Sequence, residues 1–223
     1  MKKKAPQNEV KKISNKYNRF SIIYDWIESP IERKYFSKWR KSLLGNIKGK
    51  VLEVGVGTGK NLPYYNQDQV ELTAIDISEK MMDKAKERAE QLKWKVNFKL
   101  LDSEKFPFPD NSFDYVIDTF VLCSVDNQET VLKEMNRVLK PEGKILLLEH
   151  VLSKNKLIAF WQRLHNPLTK FLVGVNINRD TVGTIRKSQL KIIMEKNLAV
   201  KDVFKQLELQ KSGKSSTRFI NNK

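Results

Sequence analysis

The chain has a single cysteine among its 223 residues, so no internal disulfide can form. Cys123 lies in an apolar run and reads as a buried structural thiol in a reducing compartment. No apolar run approaches the ~20 residues that a membrane-spanning helix requires. No apolar segment follows Met1-Lys2-Lys3-Lys4, so no signal peptide is expected and the cytosol is the expected location. Internal repeats and low-complexity segments are lacking, and no metal site is expected. Acidic residues are outnumbered: 26 Asp and Glu stand against 42 Lys and Arg, a net charge of +16. Residues 1–50 concentrate the imbalance, with 14 basic against 4 acidic side chains. Such a front can meet nucleic acid, an acidic substrate or an anionic membrane surface, for instance at the membrane's inner face, or simply solvent.

What is present is ordinary for a globular protein, with 40% apolar and 30% charged residues. From Lys50 onward, short β-branched runs alternate with helical stretches, a pattern of parallel strands joined by right-handed crossovers. Strands are expected at Val51–Val54, Glu71–Asp76, Val96–Leu101, Phe113–Asp118 and Lys144–Glu149. Helices are expected near Ser78–Leu92, with Ser78 as N-cap, and Asp126–Leu139. After a helix near Lys187–Lys196, segments Val200–Leu209 and Ser215–Ile220 flank Gly213 and read as a closing hairpin. The expected fold is α/β: a Rossmann-like, doubly wound, seven-stranded sheet, mostly parallel with a C-terminal antiparallel hairpin strand.

Two segments fall outside the sheet. Residues 1–45 form a basic amphipathic helical cap with the apolar stripe Ile13, Tyr17, Phe20, Tyr24 and Ile27. Residues 46–223 form the main domain, with an insertion at about 153–182. That insertion carries Leu157, Phe160, Trp161, Leu164, Leu168, Phe171 and Leu172, and its place after the fifth strand suits a lid.

The strongest chemical signal is Val51-Leu-Glu-Val-Gly-Val-Gly-Thr-Gly-Lys-Asn-Leu62, a strand entering a glycine-rich turn and then a helix. Gly55, Gly57 and Gly59 let the backbone bend tightly and approach a nucleotide-like ligand. The spacing lacks the next-turn glycine of dinucleotide sites. Glu53 suits a ligand with a cationic ammonium and would repel phosphates. Asp76, about 20 residues beyond the turn, can accept both ribose hydroxyls. Asp102, beside the Ser103 backbone, can accept an adenine amine.

The run Glu53-Val-Gly-Val-Gly-Thr-Gly-Lys-Asn-Leu-Pro-Tyr-Tyr65, with Asp76-Ile-Ser-Glu-Lys-Met-Met82, Phe108-Pro-Asp-Asn-Ser-Phe-Asp114 and Arg137-Val-Leu-Lys-Pro-Glu-Gly143, resembles class I S-adenosylmethionine-dependent methyltransferases. The likeness is to the quinone-biosynthesis and bacterial phosphatidylethanolamine N-methyltransferase group, over roughly residues 17–152. Glu149-His-Val151 followed by Asn178-Arg-Asp-Thr181 is also similar to membrane-associated alkyl thiol methyltransferases, whose long apolar amino-terminal anchor is not expected here. The resemblance implies that Glu53, Gly55, Gly57, Gly59, Asp76, Ile77, Asp102 and Ser103 bind S-adenosylmethionine. It also implies that Asp118 and Thr119 face the methionine portion, and that Tyr24 closes over the cofactor.

The sulfonium is already activated, so catalysis needs mainly positioning and water exclusion. An amine or thiol acceptor also needs a base, for which His150 is the candidate, with Asp118 beside it as a second catalytic candidate. The expected acceptor is small and lipophilic, such as a phospholipid amine, quinone or thiol. An RNA methyltransferase is the alternative suggested by the charge. Against it, the fourth strand ends Asp118-Thr-Phe-Val121 rather than in the Asn/Asp-Pro-Pro-aromatic run used on base amines, and no RNA-binding module is present.

Overall fold

The computed structural model of the protein describes residues 35–101 and 105–212. The expected strands all form: β1 (Gly49–Val54), β2 (Val70–Asp76), β3 (Asn97–Leu100), β4 (Phe113–Thr119) and β5 (Leu139–His150). With β6 (Leu190–Ala199) and β7 (Phe204–Lys211) they make a seven-stranded sheet in the order β3-β2-β1-β4-β5-β7-β6. β1 to β5 run parallel, and β7 lies antiparallel to both β5 and β6. The order reverses where β1 pairs with both β2 and β4, which opens a crevice beyond their carboxyl ends.

Helices cover both faces. Leu52, Val54, Val116 and Leu147 pack against Met135 and Val138 of α3 (Gln128–Val138) and Ile185 of α5 (Thr181–Lys187). Val51, Ile117, Leu146 and Leu148 point the other way, to Leu44 of α1 (Ser37–Leu44) and Ala85 and Ala89 of α2 (Glu79–Gln91). A strand buried on both faces is apolar at most positions, hence the near-continuous runs. Ser78 caps α2, its hydroxyl accepting from the Met81 amide.

Two of the quoted motif segments prove to be braces. Arg137 donates to the Phe106 and Phe108 carbonyls and to Glu134 and Asp110, pinning the loop before β4. Asp114 accepts from the Lys50 amide and the Lys140 ammonium. These ties join β1, β4 and β5 far from the carboxyl edge.

The end of the chain departs from expectation. Lys187–Lys196 is not a helix: α5 stops at Lys187 and Leu190–Ala199 is edge strand β6. Leu190, Ile192 and Met194 alternate inward against exposed Lys191, Ile193 and Glu195, a period of two. The hairpin is therefore β6–β7, one strand earlier than expected, and Gly213 and Ser215–Ile220 lie outside the described residues. So do the stripe from Ile13 to Ile27, including Tyr24, and the pair Asp102 and Ser103.

The β6–β7 turn contains Val200 and Lys201 at φ +49° and +59°. A β-branched residue in the left-handed region is strained by roughly 1–3 kcal/mol, and Val200, 58% exposed, has little packing to offset it. Val200→Asn and Val200→Gly should each raise the unfolding free energy by about 1 kcal/mol in urea titrations. Unchanged or lower stability for both would show that the turn carries no strain.

Candidate active site

The chain leaves β1 through Gly55, Gly57 and Gly59, all left-handed, at φ +67°, +56° and +76°. A Cβ on Gly55 would stand 2.4 Å from Val121 Cγ2, so this glycine lets the turn meet the loop after β4. A Cβ on Gly57 would meet nothing within 4 Å, so its backbone is open toward the crevice. Gly59 instead packs on α2, where a Cβ would lie 3.0 Å from Ala85 Cα. It serves the close helix approach that dinucleotide sites assign to a later glycine.

Asp76 ends β2 beside this turn. One of its oxygens accepts from the Gly57 amide and the other from the Ser78 amide, both at 2.8 Å. Burial raises its pKa, and donation from the Ser78, Gly57 and Ile77 amides opposes the rise. Each oxygen keeps a lone pair free for a ligand hydroxyl. Ile77 is half-buried at the start of the α2 turn.

Glu53, 1% exposed, anchors a larger network. Its two oxygens accept from Asn61 Nδ2 and the Tyr65 hydroxyl, both at 2.9 Å. Arg40 of α1 donates to Asn61 Oδ1 at 2.6 Å and to Thr119 Oγ1 at 2.9 Å. Burial still pushes the Glu53 pKa up to about 7, against the lowering effect of Tyr65, Asn61 and Arg40. A ligand ammonium nearby would restore its charge.

The pleat separates the two neighbours at the end of β4. Thr119 lies on the Glu53 face, within the Arg40 network. Asp118 is turned to the opposite face and has no exposed surface, which corrects its expected place beside the methionine portion and as a catalytic group. Its Oδ1 accepts from the Val121 amide at 3.1 Å. Its other oxygen faces Glu149, also fully buried, and neither Asp118 Oδ2 nor Glu149 Oε2 has a conventional donor. One proton shared by the pair satisfies both, and burial with the neighbouring charge raises the Glu149 pKa well above the carboxylate range.

Glu149 also accepts from the Val121 and Leu122 amides, at 2.9 and 3.1 Å. The same loop is held from outside: Arg179 donates to the Leu122 and Val125 carbonyls, Asn176 to that of Cys123, and Gln128 to Leu122 and Thr181. The Glu149-His-Val and Asn178-Arg-Asp-Thr segments thus contribute Glu149, Arg179 and Thr181 to one clamp on residues 120–125. Cys123 is buried within it, its pKa raised by desolvation and by Glu149.

The clamp holds Phe120 at φ +63°, a strained conformation for a bulky residue. Its ring packs 4.8 Å from Phe36 and 6.3 Å from Phe204, with the Arg40 guanidinium 5.7 Å from its centroid. Trp39 and His150 complete this wall, 5.6 and 5.8 Å from Phe204. Burial lowers the His150 pKa to about 4, so the ring is neutral at physiological pH. A neutral imidazole is the form that can accept a proton, and its burial makes it a weaker base than a free imidazole. Arg40, Asn61, Tyr65 and Phe120 were not among the expected site residues. Asn61, Tyr65 and Phe120 lie within quoted runs, and Arg40 lies in none.

Residues 52–147 match the methyltransferase domain family. The chain is 33% identical over 145 residues to phosphatidylethanolamine N-methyltransferase of Cereibacter sphaeroides, covering 64% of this chain and 70% of that one. It is 32% identical over 182 residues to the thiol S-methyltransferase TMT1A of Homo sapiens, covering 78% and 74%. The fold is shared with a SAM-dependent methyltransferase of Thermotoga maritima, with a TM-score of 0.67 and 20% identity over 88% of this chain and 99% of that one.

The donor set fits that cofactor: carboxylates at Glu53 and Asp76 flank an open glycine turn, suited to an ammonium and hydroxyls. Asp76→Ala should weaken S-adenosylmethionine binding at least about tenfold by calorimetry, since a charged hydrogen bond contributes roughly 1.5–3 kcal/mol; equal affinity would remove Asp76 from the site. Glu53 adds a pH dependence. The cofactor's ammonium favours the ionised carboxylate, so binding should be tight above pH 7 and weaken as pH falls, approaching about tenfold per unit once Glu53 is protonated in the free enzyme. Glu53→Gln should flatten this profile between pH 5.5 and about 7, and a slope that survives the substitution would assign it to another group.

Proposed function

Because the chain belongs to the class I S-adenosylmethionine-dependent methyltransferases, we propose that it methylates a small lipophilic acceptor such as a phospholipid amine, a quinone or a thiol. The observation that carries this reading is the polarity of the carboxyl edge. Asp76 and Glu53 stand at the ends of β2 and β1, whereas Phe120, His150 and Phe204 stand at the corresponding ends of β4, β5 and β7. The hydroxyl-rich, charged ligand and the apolar one are assigned neighbouring parts of one crevice.

S-adenosylmethionine supplies an activated methyl group on a sulfonium. Asp76 and the Gly57 backbone hold the nucleoside end, and Glu53 sets the ammonium end. The wall of Phe36, Trp39, Phe120 and Phe204 takes the apolar body of the acceptor and excludes water, which makes in-line displacement favourable by proximity and orientation. His150, a neutral ring of that wall, is the group there that can take the proton an amine or thiol acceptor gives up. The relatives' named acceptors, phosphatidylethanolamine and thiols, share an apolar or soft character with this reading.

The test is incubation of the enzyme with isotopically labelled S-adenosylmethionine and separate lipid, small-molecule and RNA extracts, read by mass spectrometry. Label is expected in an apolar lipid or small-molecule product, at a rate lowered about tenfold or more by Phe120→Ala without loss of cofactor affinity. Label confined to RNA would replace this reading with the nucleic-acid one.

A further inference from the structure

Helix α4 (Lys156–Val173), in the segment inserted after β5, has its amphipathicity reversed. A helix docked on a globular body normally turns its apolar stripe inward. In α4 the residues facing the body are Ala159, Gln162, Asn166 and Thr169. The docking is polar: Gln162 accepts from the Ser153 amide and donates to the Val151 and Ile177 carbonyls, and Asn166 accepts from the Ile177 amide. The opposite side carries Phe160, Trp161, Leu164 and Leu168, 55–60% exposed, with Leu157 and Phe171 at 74% and 79%. At about 100° per residue these fall within one arc of roughly 120°.

A continuous apolar stripe on a solvent-facing helix marks a surface that something else covers. The charge beside it says what. Lys156, Arg163 and Lys170 recur every seven residues and form a column along one edge of the stripe. No Asp or Glu occurs between Glu149 and Asp180. This pairing of Leu, Phe and Trp with flanking cations is that of a helix lying in the plane of an anionic bilayer. A second copy is disfavoured because it brings the same cations and a net charge of +16. The chain's own residues 1–34 are disfavoured likewise, with nine basic against four acidic side chains. Among the described residues no helix is long and apolar enough to cross a membrane.

We propose that α4 is an in-plane membrane-docking helix that seats the carboxyl edge of the sheet on an anionic lipid surface. The chain leaves β5 at His150 and enters α4 six residues later, so the docked helix and the crevice share one edge. The geometry goes beyond the identity of the acceptor, because vesicle binding is read without turnover.

The experiment is co-flotation of the full chain with vesicles of phosphatidylcholine alone or with phosphatidylglycerol added. Binding is expected to the anionic vesicles, weakened by salt because the Debye length falls to about 3 Å at 1 M. Leu164→Asp with Leu168→Asp should lower partitioning at least about tenfold, with S-adenosylmethionine affinity unchanged as the check on folding. In the unmodified chain, brominated acyl chains should quench tryptophan emission, and Trp161→Phe should remove most of that quenching. Failure to bind anionic vesicles overturns the proposal, as does undiminished binding by the double variant. It is equally overturned by a dimer that the double variant dissociates, or by vesicle binding that appears only after residues 1–34 are removed.

Discussion

Glu53 sits at the end of β1 with almost no access to water, and both of its oxygens must find partners inside the protein. A buried carboxyl left unpaired is costly, so whatever surrounds it is constrained to supply donors. Asn61 and Tyr65 come from the chain just past the glycine turn. Arg40, reaching over from α1, fixes Asn61 and Thr119 in turn. One acidic side chain thereby locks the glycine turn, α1 and the end of β4 into a single arrangement, and the crevice is the space those parts enclose. Its raised pKa is the remainder of that balance: the donors offset part of the cost of burial, and a cationic ligand would offset more.

The opposite face of the sheet solves a related problem differently. Asp118 and Glu149 lie at the ends of adjacent strands with no cation between them, and a shared proton lets both remain buried. Glu149 then spends its remaining acceptor capacity on the amides of residues 121 and 122. With Arg179, Asn176 and Gln128 on the carbonyls of the same loop, the backbone between Phe120 and Val125 is held from both sides. This over-determination accounts for a phenylalanine at positive φ, since strain of that size persists only where surrounding bonds enforce it. The two carboxylate systems therefore divide the work, one shaping the polar part of the crevice and the other holding the aromatic wall.

The parallel strands are legible in the sequence because a doubly covered sheet demands apolar residues at successive positions, and Val51–Val54 and Lys144–Glu149 meet that demand openly. β6 is not legible in the same way. As an edge strand it fully buries only Leu190, with Ile192, Met194, Leu198 and Ala199 half-buried, and its interspersed lysines suit helical spacing equally well. The glycines and the acids Glu53 and Asp76 can be read from position alone, since strand ends at a switch point are where ligands bind. Which way Asp118 and Thr119 point cannot be: a shift of one residue exchanges the faces, and only the pairing of β4 with β1 and β5 decides it. Arg40 is similarly hidden, because its partner Thr119 is 79 residues away in sequence.

A methyl transfer from a charged nucleoside to an apolar acceptor asks opposite things of one cavity. Polar groups strong enough to hold hydroxyls and an ammonium would also retain water, and water competes for the space the acceptor must occupy. Sheet order offers a resolution without a second domain. β2 and β1 present carboxylates, β4 presents a threonine bound into the Arg40 network followed at once by an aromatic ring, and β5 and β7 present His150 and Phe204 in register. Polarity therefore declines across the sheet over the width of a few strands, each about 4.8 Å from the next. The insertion after β5 emerges at the apolar end of this gradient, and its own outer surface is apolar in the same sense. On the proposed reading, an apolar acceptor approaching along that side would lose its water gradually before meeting the methyl group, while the cofactor would be held by carboxylates and backbone at the other end.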